Sequence, residues 1–393
     1  MDQRHPSLVP SPVWHIFCNV ATREVCLFLP YHRGDAPSTQ IARAHRGKAK
    51  LRMNQVEEHR DVVVITGASG GVGRATAQAF GKRGASVCLV ARGQAGLEGA
   101  RRDVERLGGR AIIVVGDSAD PQTHERAAQQ AEDVFGPIDI WVNTAFATVF
   151  GPFTDVSPEE YERVTSVTYL GYVYGTRAAL RRMLPRDRGK IVQVGSALAY
   201  RGIPLQTAYC GAKHAIQGFT ESLRAELIHN HSEVHLTMVQ LPAVNTPQFT
   251  WGRNKMPRKA QPVPPIYQPE VAAEAIYWAA HHKKRQLYIG GSTLTVIMGN
   301  KFFANLGDWY LGRTGYASQM RDEKRNPNQP DNLFQPVDTT QDYGSHGAFD
   351  QRSINRSYEV WAAEHKGIIA TALAGIAGVA VAGSLVALGR GRG

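Results

Sequence analysis

Cysteine is scarce in this chain. Four cysteines occur among 393 residues, Cys18, Cys26, Cys88 and Cys210, and no two share a disulfide-like or metal-like spacing. That usage excludes a disulfide-stapled scaffold and fits a reducing compartment. His229, His231, His235 and the pair His281-His282 lack the partner spacing of a metal site and read as surface histidines, so no metal is expected. The net charge is +11, yet no stripe of Lys and Arg is interleaved with aromatics, which argues against nucleic-acid binding. Part of the excess sits at the N-terminus, where residues 1–52 hold eight Lys/Arg against three Asp/Glu. That stretch has no sustained period of 2 or 3.6 and no basic–apolar–cleavage layout of a signal peptide. Two readings remain for it: a disordered basic tail, or a leader outside a chain that naturally starts at Met53.

Hydrophobic residues make up 43% of the chain and charged ones 20%, as a globular core requires. From Asp61 a regular alternation begins. Val62–Ile65 is a β-branched run typical of a buried parallel strand. It runs into the turn Thr66-Gly67-Ala68-Ser69-Gly70-Gly71-Val72-Gly73 and then a helical pattern ending near Lys82. In the order strand, glycine turn, helix, such glycines let the backbone approach a pyrophosphate, with the helix's first N–H groups facing the anion. Further strands are predicted at 86–91, 111–115, 138–142, 190–194, 234–240 and 286–289. Helices are predicted at 94–107, 121–135, from a Ser157 cap to about Met183, and at 209–227. This alternation predicts an α/β fold with a doubly wound parallel sheet.

The second strand ends at Ala91-Arg92, where an NAD site usually places an acid for the ribose 2′-hydroxyl. An arginine suits a 2′-phosphate, so NADP(H) is the expected cofactor; the competing reading of Arg92 is a surface residue on a loop. Ser196 ends the fifth strand, on the sheet edge where open α/β sheets bind ligands. Thirteen residues on stands Tyr209, with Lys213 one helical turn beyond. Positions i and i+4 share a helix face about 6 Å apart. A cation there favours the phenolate and fits the tyrosine for acid/base work.

The glycine turn, the sheet order and the Ser196–Tyr209–Lys213 spacing resemble the short-chain dehydrogenases/reductases over roughly Asp61 to Ile289. The resemblance implies a Rossmann-type fold and hydride transfer between a nicotinamide cofactor and a carbonyl or alcohol. Tyr209 would be the general acid/base. Lys213 would lower its pKa and hold the nicotinamide ribose, and Ser196 would hold the substrate oxygen. Thr66, Gly67, Ser69, Gly71 and Val72 would form the pyrophosphate site. Asp117 would meet the adenine, Asn143 would match the family's first asparagine after the fourth strand, and Pro242 and Thr246 would lie near the nicotinamide amide. Thr168 stands where the family usually has the asparagine of a proton relay through the lysine, which implies activity with a modified relay. Cys210 reads as a small packed residue. The family commonly pairs through its long helices, so a homodimer or homotetramer is expected.

Residues 53–295 are therefore read as the catalytic domain and 296–365 as an irregular extension or linker. Phe249, Trp251 and Tyr267 lie where the family's substrate lid falls and suggest an apolar or bulky substrate. Ile368–Leu388 carries no charge and, at 1.5 Å per residue, spans about 30 Å. Residues 366–393 are read as a transmembrane tail holding the catalytic domain at a membrane on its cytoplasmic side. The alternative is a soluble cytoplasmic protein whose apolar helix packs on a partner subunit. The competing functional reading is a non-catalytic NADP-binding sensor or membrane-tethered scaffold with the same fold.

Overall fold

The computed structural model describes residues 60–358 and His365. The expectations for residues 1–52 and for the 368–388 span lie outside the described residues. Among the described residues no helix is long and apolar enough to cross a membrane.

The first unit is β1 (Val62–Thr66), the glycine turn and α1 (Gly71–Gly81). All five residues of β1 are buried, as β-branched side chains covered on both faces of a parallel sheet should be. Then follow β2 (Ser86–Ala91), α2 (Gln94–Arg106), β3 (Arg110–Val115) and α3 (Pro121–Phe135). Asp120 caps α3 by accepting from Gln122 N at 2.9 Å, with proline in the first turn. β4 (Ile140–Asn143) is followed by α4 (Pro158–Thr165) and α5 (Gly171–Met183). The remaining elements are β5 (Lys190–Ser196), α6 (Thr207–His229), β6 (His235–Leu241), α7 (Pro269–His281), β7 (Gln286–Tyr288) and α8 (Gly291–Ser318).

The seven strands are parallel in the order β7-β6-β5-β4-β1-β2-β3. The chain reverses direction across the sheet between β1 and β4, where Thr66 pairs with Asn143. Such a switch point opens a crevice at the carboxyl ends of the strands. One apolar cluster packs α1, α2 and α7 on one face of the sheet, through Phe80, Leu97 and Ile276. A second packs α3, α5 and α6 on the other, through Ala127, Met183 and Leu227.

Three departures from the sequence reading matter for the site. The helix predicted from Ser157 to Met183 starts with the expected cap: Ser157 N donates to Glu160 Oε2 at 2.8 Å and Glu160 N donates to Ser157 Oγ at 3.4 Å. It is then broken by a π-helical turn, Ser166–Leu170. Inside that turn the fully buried Thr168 exchanges two 3.0 Å hydrogen bonds with the backbone N–H and C=O of Ala147. We expect Thr168→Val to strand both groups at about 1–3 kcal/mol each. Urea unfolding that gave wild-type stability would show that the pair holds nothing.

The second departure is α8. The extension expected to be irregular from residue 296 begins as a long helix, kinked at Phe303, with Phe302, Leu306, Trp309 and Tyr310 exposed. The third is a strap formed by residues 330–350, which crosses the carboxyl edge of the sheet instead of leaving the domain as a linker. Asn332 N donates to Trp251 O (3.0 Å), Gly71 N to Gly344 O (3.3 Å) and Gly347 N to Asn245 O (3.3 Å). Leu333 is fully buried against Ala147, Val164, Val167 and Ala208.

Candidate active site

Ser196 lies at the carboxyl end of β5, where its hydroxyl also caps the following turn by accepting from Leu198 N at 3.1 Å. α6 starts two residues before Tyr209, which places the tyrosine in its first turn and Lys213 one turn further on. The Tyr209 and Ser196 hydroxyls are hydrogen-bonded. The ring of Tyr209 packs edge-on against Phe146, with centroids 5.7 Å apart. Lys213 is fully buried, and its Nζ lies 5.7 Å from the centre of the Tyr209 ring. That Nζ donates to Val194 O (2.7 Å) and Tyr172 Oη (3.2 Å).

Burial decides the protonation of this group. The Lys213 ammonium meets only neutral oxygens, and desolvation brings its pKa down to about 7. The Tyr209 phenol was expected to be lowered by the lysine. Instead burial pushes it up, and the Ser196 hydrogen bond only partly offsets that. A phenol so placed holds its proton at neutral pH and can give it to an oxygen beside it. Thr168 has both its donor and its acceptor committed to Ala147, so its hydroxyl is not a link to Lys213. The oxygens that meet the lysine are Val194 O and Tyr172 Oη.

Beside this group runs a cleft lined by Gly67, Ser69, Gly71, Val72, Arg92, Asp117, Phe146 and Thr246. Gly67 (φ +69°) and Gly71 (φ +53°) adopt left-handed backbone that favours glycine. A Cβ on Gly73 would stand 2.2 Å from Gly67 O, so the turn closes only with glycine there. α1 begins at Gly71 with no side-chain cap; Gly71 N is taken by Gly344 O and Arg74 N by Gly70 O, which leaves the N–H groups of Val72 and Gly73 in the first turn for an anion. This cradle fits the pyrophosphate of a dinucleotide.

Residues 61–256 match the short chain dehydrogenase family. The oxidoreductase YxnA of Bacillus subtilis, an uncharacterized oxidoreductase, is 33% identical over 337 residues, 85% of this chain and 93% of its own length. The chain belongs to the short-chain dehydrogenase family. A 3-ketodihydrosphingosine reductase of Bos taurus is 32% identical over 222 residues, 54% of this chain and 66% of that one. A solved structure described as a short-chain alcohol dehydrogenase of Sinorhizobium meliloti shares 29% identity over 46% of this chain and 71% of that one, with a TM-score of 0.44.

Within this short-chain dehydrogenase, two residues expected at the cofactor face elsewhere. Asn143 is fully buried, where its Oδ1 accepts from Trp141 Nε1 (2.9 Å) and its Nδ2 donates to Gln193 Oε1 (2.9 Å). Thr66 Oγ1 accepts from Thr144 N at 3.2 Å and ties β1 to the segment after β4. Both side chains fasten strands under the cleft. Asp117 reaches the cleft, but its carboxylate is clamped by Arg163 (2.6 Å) and by Ala119 N (2.9 Å). Burial works against the charge, yet those partners hold the acid below the usual carboxylate range. Cys210 is a buried thiol pushed up to about 11.

The sequence reading missed the strap. Arg92 donates through Nη1 to Phe334 O (2.9 Å) and Leu333 O (3.4 Å), and through Nη2 to Asn332 O. Arg163 Nε donates to the same Leu333 O at 2.8 Å. Asp342 pairs with Arg74 of α1, with Nη2 to Oδ2 at 3.1 Å. Asn332 and Asp338 are themselves part of the cleft wall. The signal was charge: Asp331, Asp338, Asp342 and Asp350 stand in a Pro- and Asn-rich segment, and Asp331 and Asp342 find their cations in Arg253 and Arg74.

Proposed function

We propose that this chain interconverts a carbonyl and an alcohol, with Tyr209 as the general acid/base. The observation that carries the reading is the convergence of Ser196, Tyr209 and Lys213 beside the glycine cradle. A bound nicotinamide dinucleotide supplies or accepts the hydride. The chain's own residues do the rest. Ser196 Oγ orients the substrate oxygen against Tyr209 Oη. Tyr209 gives or takes the proton at that oxygen. Lys213 sets the electrostatics from beneath the ring.

A lipophilic carbonyl substrate is supported by the aromatic lid residues Phe249 and Trp251 and by the 3-ketodihydrosphingosine reductase among the relatives. NADP(H) was expected from Arg92, but that guanidinium is turned to the carbonyls of 332–334, so the expectation loses its main support. Pairing with a second copy is supported by an apolar groove along α5 and α6, lined by Leu180, Leu184, Phe219 and Leu223. Sedimentation as a monomer would remove that part.

The test is oxidation of NADH and NADPH by purified protein with a panel of long-chain ketones and aldehydes. Dinucleotide binding without turnover of any carbonyl would favour the sensor or scaffold reading over the enzyme.

A further inference from the structure

The end of β2 is where a doubly wound site meets the adenosine ribose: an acid there accepts from the 2′-hydroxyl, and an arginine there receives a 2′-phosphate. In the local sequence only Arg92 and Gly93 stand at that point. The fold adds a third residue from the strap.

Asp338 is 7% exposed and faces the cleft. Its carboxylate is wedged between β2, α2 and the glycine turn. A Cβ on Gly93 would lie 1.8 Å from Asp338 Oδ1, and one on Gly96 would lie 2.6 Å from Oδ2 and 2.9 Å from Ser69 Cβ. Glycine at 93 and 96 is what makes room for the acid.

Two features leave this carboxylate in want of donors. The start of α2 does not supply them. Ala95 N donates to Thr339 O (3.3 Å) and Gly96 N to the backbone oxygen of Asp338 (3.2 Å). Arg92 does not supply them either. It attracts Asp338 electrostatically, but its guanidinium spends three of five N–H donors on the strap carbonyls. No described residue donates a hydrogen bond to the Asp338 side chain. The residue is buried, but its carboxylate oxygens are not among the sealed, unpartnered side-chain atoms of the described residues, so they stay within reach of the cleft and can accept from the donors of a bound ligand.

The strap fixes this acid from both sides. Upstream, Leu333 is buried and its carbonyl is held by two arginines. Downstream, Asp342 is paired with Arg74 and Gly344 O accepts from Gly71 N.

We infer that Asp338 receives the adenosine ribose hydroxyls and makes NAD(H), not NADP(H), the preferred dinucleotide. This rests on the nicotinamide-dependent reading above. A ribose 2′,3′-diol brings two O–H donors to an acceptor that has none. A 2′-phosphate brings a second negative charge of about −1.5 to −2 against the same carboxylate. It would also need Arg92 to release the strap carbonyls.

The experiment is calorimetric titration of the full chain with NAD⁺ and NADP⁺, repeated with 5′-AMP and 2′,5′-ADP to isolate the adenosine corner. NAD⁺ is expected to bind at least tenfold tighter than NADP⁺, and 5′-AMP tighter than 2′,5′-ADP. In Asp338→Asn, which keeps the shape and loses the charge, the NAD⁺/NADP⁺ ratio is expected to fall at least tenfold. Asp338→Ser serves as a second variant, with thermal melting to confirm folding. Wild-type protein that binds NADP⁺ as tightly as NAD⁺, or a ratio that neither variant moves, overturns the assignment while leaving the oxidoreductase reading intact. Failure of both dinucleotides to bind overturns both.

Discussion

Tyr209→Phe is expected to lower kcat/KM for carbonyl reduction by about 10²- to 10⁴-fold, the usual worth of a positioned acid or base. Dinucleotide affinity should stay within about twofold, because the ring packing against Phe146 is kept. The variant removes only the hydroxyl that meets Ser196, so its cost in stability should be that of one hydrogen bond, about 1 kcal/mol. The size of the effect follows from protonation. Burial holds the wild-type phenol above its ordinary pKa of 10.0, so in the free protein the proton is present at neutral pH. Reduction, which consumes that proton, should run across neutral pH without an activating ionisation. Oxidation of an alcohol needs the phenolate and should rise with pH. Both limbs vanish with the hydroxyl. Turnover by Tyr209→Phe within tenfold of wild type would remove the residue from the chemistry and leave Ser196 and Lys213 as parts of a binding site.

The elements that make the cradle could be read from the sequence because each rests on a local rule. A β-branched run followed by glycines and a helix is intelligible within ten residues, and so is the Ser157–Glu160 cap. The spacing of Ser196, Tyr209 and Lys213 is legible for the same reason: strand end, helix start and one helical turn fix it. What escaped depends on contacts distant in sequence. α7 buries nine of its thirteen residues, so its polar face narrows to the thin stripe Glu270, Glu274, Tyr277 and His281 and is easily passed over in the sequence. α8 exposes aromatics around its length and lacks such a stripe. The π turn that aims Thr168 at Ala147 has no local mark, since its residues are ordinary helix formers flanked by helix. Arg92 was read for what a cation can bind, and the partners it has are carbonyls of a strap at residues 332–334. Asn143 and Thr66 were read as cofactor ligands for their motif positions. Strand pairing turned both into the network that holds β1, β4 and β5 in register.

Lys213→Met is expected to lower turnover by about 100-fold or more and to change the pH dependence of stability in a defined direction. The Lys213 ammonium is buried against Val194 O and Tyr172 Oη with no carboxylate beside it, and its pKa falls from 10.5 to about 7. Below pH 7 the lysine is charged both folded and unfolded. The burial penalty is then carried in full and contributes no slope. Between about pH 7 and 10.5 the unfolded chain holds a proton that the folded chain has lost. Unfolding then takes up a proton, and stability rises with pH by up to about 1.4 kcal/mol per unit. The gain ends once the unfolded lysine also loses its proton. Methionine is similar in length, apolar and uncharged, so the variant should lack this slope. It should therefore be more stable than wild type at pH 6, and that advantage should shrink by about 2.7 kcal/mol by pH 9. Parallel urea curves for the two proteins at pH 6, 7.5 and 9 measure the difference, and other titrating groups cancel between them. A difference that stays constant across those pH values would mean that the lysine keeps its proton when folded. It would then act on Tyr209 as a permanent cation, and the loss of turnover in Lys213→Met would be the loss of that charge at every pH.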